Sequence, residues 1–164
     1  RIVKDILSAA RMGGSDFKLE RTDLDISRML QKAWRKVMGR IEDKEMELRQ
    51  DIQPDFHYEG DARLMEKVFA NVLDNAVAYS PRGAVVTVTL QDGVLSVENS
   101  GIHIEQEDLE QLFTPFYRVD KSRNRNSGGS GLGLYITKTI LDHHEIIHNM
   151  VNTENGVKFT AFLW

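Results

Sequence analysis

Residues 61–80, DARLMEKVFANVLDNAVAYS, constrain the fold more than any other stretch. At 100° per residue, Met65, Phe69, Val72, Leu73 and Ala76 fall on one side. The spacing predicts a helix with Asp61 as its N-cap and Ser80-Pro81 as its stop. A helix with one such face must lie on another layer of structure. The other side carries Asn71, Asp74, Asn75 and Ala78. A solvent face normally holds Lys, Glu or Arg, which favour helices; Asn does not. Two Asn four residues apart, with a carboxylate between them, make a compact group of oxygen donors. Mg²⁺ suits such donors, because it takes hard oxygens and shares its shell with phosphate and water. The competing reading is a polar face that only touches solvent.

The remaining elements surround this helix. RIVKDILSAARM reads as the end of a helix closed by Gly13-Gly14. DLDISRMLQKAWRKV is a second helix, with Ile26, Leu30, Trp34 (or Ala33) and Val37 along one face. EMELRQDI reads as a strand. AVVTVTLQDGVLSVEN is two strands joined by Asp92-Gly93, a strong hairpin signal. EQEDLEQLF is a short helix, YRVDKSRNRNSGGSG a long polar loop, and LGLYITKTILDHH a helix. EIIHNMVNTENGVKFTAFLW closes the chain as two strands turning at Glu154-Asn155-Gly156. The expected fold class is α/β. It is a two-layer sandwich whose mixed, mostly antiparallel sheet of about five strands carries three main helices on one face. Hydrophobic residues are 41% of the 164, enough for a core of that size.

Several function classes are weakened by composition. There is no cysteine, hence no disulfide and no thiolate metal site. A formal net charge of −4 gives no support to nucleic-acid binding. No apolar run approaches ~20 residues, so no span of a bilayer is expected. The sequence starts at Arg1, in mid-pattern and without a signal peptide, so a fragment of a longer protein is expected.

SGGSGLGL, residues 127–134, places Gly128, Gly129, Gly131 and Gly133 just before a helix. Glycine lets backbone N–H groups approach phosphate oxygens, and a helix start offers its positive end. The spacing is not that of a Walker loop, since no Gly-Lys-Ser/Thr follows. A flexible linker with a helix cap would look similar. In VENSGIHI, Asn99 ends a strand and Gly101 opens a turn. A side-chain amide there can accept from the exocyclic amine of a base, although Asn-Ser-Gly is also an ordinary turn.

NVLDNAVAYS, NSGIHI, LFTPFYR and GGSGLGL follow in this order within about 65 residues. As a set they resemble the N, G1, F and G2 boxes of the catalytic, ATP-binding domain of sensor histidine kinases. The resemblance runs from about Leu19 to the C-terminus. It implies the ATP-binding sandwich shared with gyrase, the Hsp90 chaperones and a mismatch-repair ATPase. It further implies Asn75 as Mg²⁺ ligand with Asn71 beside it, and Asp74 as a general base or polarising group. Tyr79 would pack on the adenine. Asn99, with Gly101 and Ile104, would hold the adenine. Arg118 and Arg123 would reach the phosphates, and Phe113 and Phe116 would anchor a mobile ATP lid. Gly129, Gly131 and Gly133 would close that lid and start a helix, with Leu132 and Leu134 beneath the nucleotide.

The sequence departs from the family pattern at three positions. Asn99 stands for the usual Asp, His103 for a glycine, and Ala78 for a phosphate-binding Lys. The Asn-type box is most similar to sensors linked to vancomycin and other cell-wall antibiotics. None of the five histidines has the context of a phospho-acceptor; for His143 and His144 a capping or surface role at a helix end is expected. By resemblance, residues 1–14 are the end of the dimerisation helix and 15–164 the catalytic domain. The expected cofactors are ATP and Mg²⁺. The expected partners are the acceptor domain of the same protein and a response regulator. The isolated chain is expected to be a monomer; its parent is expected to be a homodimeric membrane sensor with this part on the cytoplasmic side.

Overall fold

A computed structural model describes residues 2–117 and 132–164. The chain runs α1 (Ile2–Met12), β1 (Arg21–Asp25), α2 (Ile26–Asp43), β2 (Glu47–Ile52), β3 (His57–Asp61) and α3 (Ala62–Ala78). It continues as β4 (Val85–Gln91), β5 (Val94–Ser100), α4 (Gln106–Gln111), α5 (Gly133–His143), β6 (Ile147–Asn152) and β7 (Gly156–Phe162). Five strands form one sheet in the order β2-β4-β5-β7-β6. Only the β2–β4 pair is parallel. The expected mixed, mostly antiparallel sheet is thus observed.

Strand alternation decides which face is covered. Val86, Val88 and Leu90 of β4 share a face with Leu95 and Val97 of β5 and with Phe159 and Ala161 of β7. All are at most 3% exposed. They meet the apolar sides of α2, α3 and α5 in one continuous core, the burial that drives this architecture. The opposite face holds Thr87, Thr89, Ser96, Glu98 and Lys158. At the β4–β5 turn, Asp92 (φ 52°) and Gly93 (φ 76°) both take the left-handed conformation such a two-residue hairpin requires.

The two long helices start where their caps dictate. The Asp25 carboxylate accepts from the Arg28 N–H and that of Asp61 from the Leu64 N–H. Asp25 therefore ends a strand, whereas the sequence reading ran the helix from Asp23. Strands β1 and β3 pair antiparallel as a separate two-stranded sheet that the sequence reading did not foresee. Helix α1 is joined to the sandwich. Met12 is 3% exposed, Lys67 Nζ donates to Ser8 Oγ at 3.0 Å, and His143 Nε2 meets the Met12 carbonyl at 3.0 Å.

His144 takes the capping role of the two expected for it, as the C-cap of α5, but it does so buried, at 3% exposure, and not at the surface. Its Nε2 accepts from the Asp61 N–H at 3.0 Å, and its Nδ1 donates to the Ile140 carbonyl at 2.8 Å. That pair of bonds requires the neutral ring. Burial pushes its pKa below 6.5, with the Ile140 hydrogen bond opposing and Arg21 adding to the shift. The unfolded chain then takes up the proton first as pH falls. Stability from this site is complete above about pH 6.5 and declines below it, by at most about 1.4 kcal/mol per pH unit. Urea unfolding of the parent and of His144→Gln between pH 7.5 and 5 should show this slope only in the parent. Equal slopes would mean that His144 does not carry it.

Candidate functional site

Helix α3 is the hub. Its apolar residues Met65, Phe69, Val72, Leu73 and Ala76 are at most 4% exposed, as the periodicity predicts. Asn71, Asp74, Asn75 and Ala78 are all half-buried. Two other predicted segments are brought to this helix from distant parts of the chain.

The first is the start of α5. Asn71 Nδ2 donates to the Gly133 carbonyl at 3.1 Å, and Thr137 Oγ1 donates to the same oxygen at 2.9 Å. This fixes the Asn71 amide and leaves its Oδ1 as an acceptor. Leu132 is 3% exposed and part of the core; Leu134 is half-buried and outside it. Among the described residues no side chain caps the N-terminus of α5, in contrast to α2 and α3. The N–H groups at a helix start suit an anion.

The second is the turn after β5. Gly101 (φ 85°) sits so close to Pro81 that a Cβ would lie 2.7 Å from the proline Cγ. Its N–H donates to the Asn155 carbonyl at 3.1 Å. Asn99 is 7% exposed and lies on the helix-facing side of the sheet, between Val86 and Val157. Its side-chain amide forms no hydrogen bond to another described residue. Gly156 crosses β5 so tightly that a Cβ would lie 1.9 Å from the Asn99 carbonyl oxygen. Tyr79 ends α3, half-buried, its N–H bonded to the Asn75 carbonyl at 3.1 Å.

The turn between β6 and β7 straps this segment, a contribution the sequence reading missed. Asn152 both accepts from the Ile104 N–H (2.9 Å) and donates to the Ile104 carbonyl (2.7 Å). His103 Nε2 donates to the Thr153 carbonyl at 2.8 Å, so this departure from glycine gains a contact of its own. Helix α2 supplies two further residues that the sequence did not mark. Arg40 pairs with Asp74. Lys44 Nζ donates to the carbonyls of Val77 and Ser80, both at 2.7 Å, closing the C-terminus of α3. Burial, then the neighbouring Arg40, holds the Lys44 pKa below its usual value.

Of the expected lid anchors, Phe113 packs edge-on against His148 at 5.4 Å, while Phe116 is 57% exposed with φ 65°. The Tyr117 hydroxyl donates to Asp108, which raises its pKa. Arg118, Arg123, Gly129 and Gly131, with the expected lid beyond Tyr117, lie outside the described residues. Among the described residues no cluster of His, Cys, Asp and Glu could hold a metal by itself. A cation at α3 would need amide oxygens and ligand phosphates. The donor set of Asn71 and Asn75, with phosphate oxygens completing the shell, fits Mg²⁺.

The start of α5, the amide at the end of β5 and the polar face of α3 thus meet in one two-layer sandwich. The chain belongs to the histidine kinase-, DNA gyrase B- and HSP90-like ATPase family, which matches residues 60–164. Within it, the chain is of the sensor histidine kinase type. It is 32% identical over 148 residues to the sensor-like histidine kinase SenX3 of Mycobacterium tuberculosis, covering 88% of this chain and 36% of the relative. Sensor protein VanSB of Enterococcus faecalis is 43% identical over 103 residues, 60% of this chain and 23% of the relative. The solved catalytic domain of histidine kinase ThkA superposes with a TM-score of 0.77 at 26% identity, over 87% of this chain and 93% of that one. ThkA in complex with response regulator protein TrrA gives a TM-score of 0.78 at 26% identity, over 98% of this chain and 45% of that one. The chain spans about a third of the length of SenX3. The domain is thus an ATP-binding catalytic domain. Among the described residues no helix is long and apolar enough to cross a membrane.

Proposed function

We propose that this domain binds Mg²⁺-ATP against α3 and, within a longer sensor protein, donates the γ-phosphoryl to a histidine on a segment outside this sequence. The meeting of the Asn71–Asn75 face, the Gly101 turn and the start of α5 on one helix carries the reading. Asn75 and the Asn71 Oδ1 would hold Mg²⁺, which supplies charge neutralisation at the phosphates. Asn99 would accept from the adenine amino group, with Gly101 and Ile104 shaping that side and Tyr79 against the ring. Gly129, Gly131, Gly133, Leu132 and Leu134 would form the wall at the phosphates, and Arg118 and Arg123 would reach them.

The protein's part in transfer is positioning and electrostatics. A ring nitrogen of the acceptor histidine forms the N–P bond as the bond from the γ-phosphorus to the bridging oxygen breaks. The electron pair leaves on ADP. Asp74 would hold the proton on the other ring nitrogen. Residues 1–14 would be the end of the acceptor-bearing dimerisation helix, and 15–164 the catalytic domain. The parent would be a membrane-anchored homodimer that hands the phosphoryl to a response regulator. A vancomycin-type sensor is supported by Asn99 at the head of its box and by the likeness to VanSB.

The test is incubation with γ-labelled ATP and Mg²⁺, with and without the acceptor-bearing segment of the parent. The chain alone should bind ATP and gain no label. The acceptor should gain acid-labile label, as phosphohistidine is acid-labile. Stoichiometric label on this chain alone, or release of free phosphate without labelled acceptor, would overturn the reading.

A further inference from the structure

Arg40 lies on α2, outside all four sequence boxes, yet its guanidinium pairs with the Asp74 carboxylate of α3. The two side chains are 47% and 34% exposed. An ion pair so open to water adds little to stability, because solvent screens it and ordering two side chains costs entropy. The arginine also carries a local penalty. It stands one helical turn before Lys44, and after burial it is the second cause that holds the Lys44 ammonium below its usual pKa. A neutral residue at 40 would remove that repulsion at little cost to the fold.

What Arg40 does provide is orientation. A carboxylate on a helix surface samples several rotamers. A planar guanidinium brought from another helix selects among them, and its fork matches carboxylate geometry better than a lysine does. Arg40 is itself well placed to do so: its carbonyl accepts from the Lys44 N–H at 3.0 Å, and the Lys44 ammonium grips the carbonyls of Val77 and Ser80. The last turns of α2 and α3 are therefore joined at two places. Asp74 lies between them, next to Asn75 and within one turn of Asn71.

We propose that Arg40 is a positioning residue for phosphoryl transfer: it fixes the Asp74 carboxylate beside the Asn71–Asn75 face, where the acceptor imidazole must arrive. The proposal rests on the kinase reading above. Arg40 touches neither nucleotide nor metal in this assignment, so its effect belongs to the transfer step and not to ATP affinity.

The experiment measures three quantities for the parent, Arg40→Met, Arg40→Lys, Asp74→Asn and the Arg40→Met/Asp74→Asn double variant. These are affinity for a non-hydrolysable ATP analogue with Mg²⁺, the transfer rate to the parent's acceptor segment at saturating ATP, and the melting midpoint. Arg40→Met should bind the analogue within about threefold of the parent, because a residue acting only in the transition state leaves ground-state binding alone. Its transfer rate should fall by about 10- to 100-fold, the scale of a misplaced catalytic group. Arg40→Lys should recover part of the rate. In the Asp74→Asn background, Arg40→Met should add no further loss, since both changes act through one carboxylate. Arg40→Gln replaces Arg40→Met if the latter melts early. A parent-like rate in Arg40→Met, losses that multiply in the double variant, or a parallel fall in analogue affinity would each overturn the proposal while the kinase reading stands. A parent that binds the analogue and transfers nothing would overturn both.

Discussion

Asn75→Ala is expected to weaken Mg²⁺-dependent ATP binding sharply while leaving the domain folded. Asn75 is half-buried on the side of α3 away from the core, and its neighbours Ala76 and Val77 carry the packing. Alanine is the better helix former, so folding should lose nothing and gain about 0.5 kcal/mol. The cost falls on the site. With no acidic or histidine cluster among the described residues to replace it, a cation there depends on amide oxygens and phosphate. Losing a direct ligand should cost at least as much as losing a hydrogen-bond partner of one, about 10- to 100-fold in Mg²⁺-dependent affinity. Titration with a non-hydrolysable analogue, in Mg²⁺ and in EDTA, reads the metal-dependent part directly. Unchanged metal dependence would remove Asn75 from the site.

Asn99→Leu should weaken ATP binding by about 5- to 150-fold, whereas Asn99→Asp should keep or improve it. Asn99 is 7% exposed between Val86 and Val157, so leucine fits that face of the sheet and the fold should hold. What leucine lacks is an acceptor. The adenine amino group would be buried without a partner, at a cost of roughly 1–3 kcal/mol, or about 5- to 150-fold in affinity. Asp supplies the same acceptor. GTP is the control: guanine presents a carbonyl at that position, so Asn99→Asp, which has only acceptors, should reject it, whereas the Asn99 amide can turn to donate to it and should discriminate less. If Asn99→Leu binds ATP as the parent does, the adenine side lies elsewhere.

The parts of the fold that were legible in the sequence are those fixed by local rules. Helix α3 announces itself by its period, by Asp61 at its start and by Ser80-Pro81 at its end. The β4–β5 hairpin does so through Asp92-Gly93, since few other pairs tolerate φ above zero twice. The parallel pairing of β2 with β4 and the polar strands β1 and β3 were not legible. RTDLD and HYEGD bury little beyond Leu24 and Gly60, so neither has a clean alternation to read. Each exists because the other is there.

The same division runs through the site. The residue types at Asn71, Asp74, Asn75, Asn99 and Gly133, and their order, follow from the sequence alone, because the chemistry of oxygen donors and helix starts is local. Their meeting does not. Asn71 reaches Gly133 across 62 residues, Arg40 reaches Asp74 across 34, and His144 takes the Asp61 N–H across 83. No periodicity marks such partners. They are chosen when helices and sheet bury a common core, and that burial sets which polar groups face one another. His144 shows the consequence most plainly. At the end of a helix the sequence favours a cation, but the tertiary structure buries the ring against an N–H donor, and desolvation with that single bond makes the neutral form the stable one.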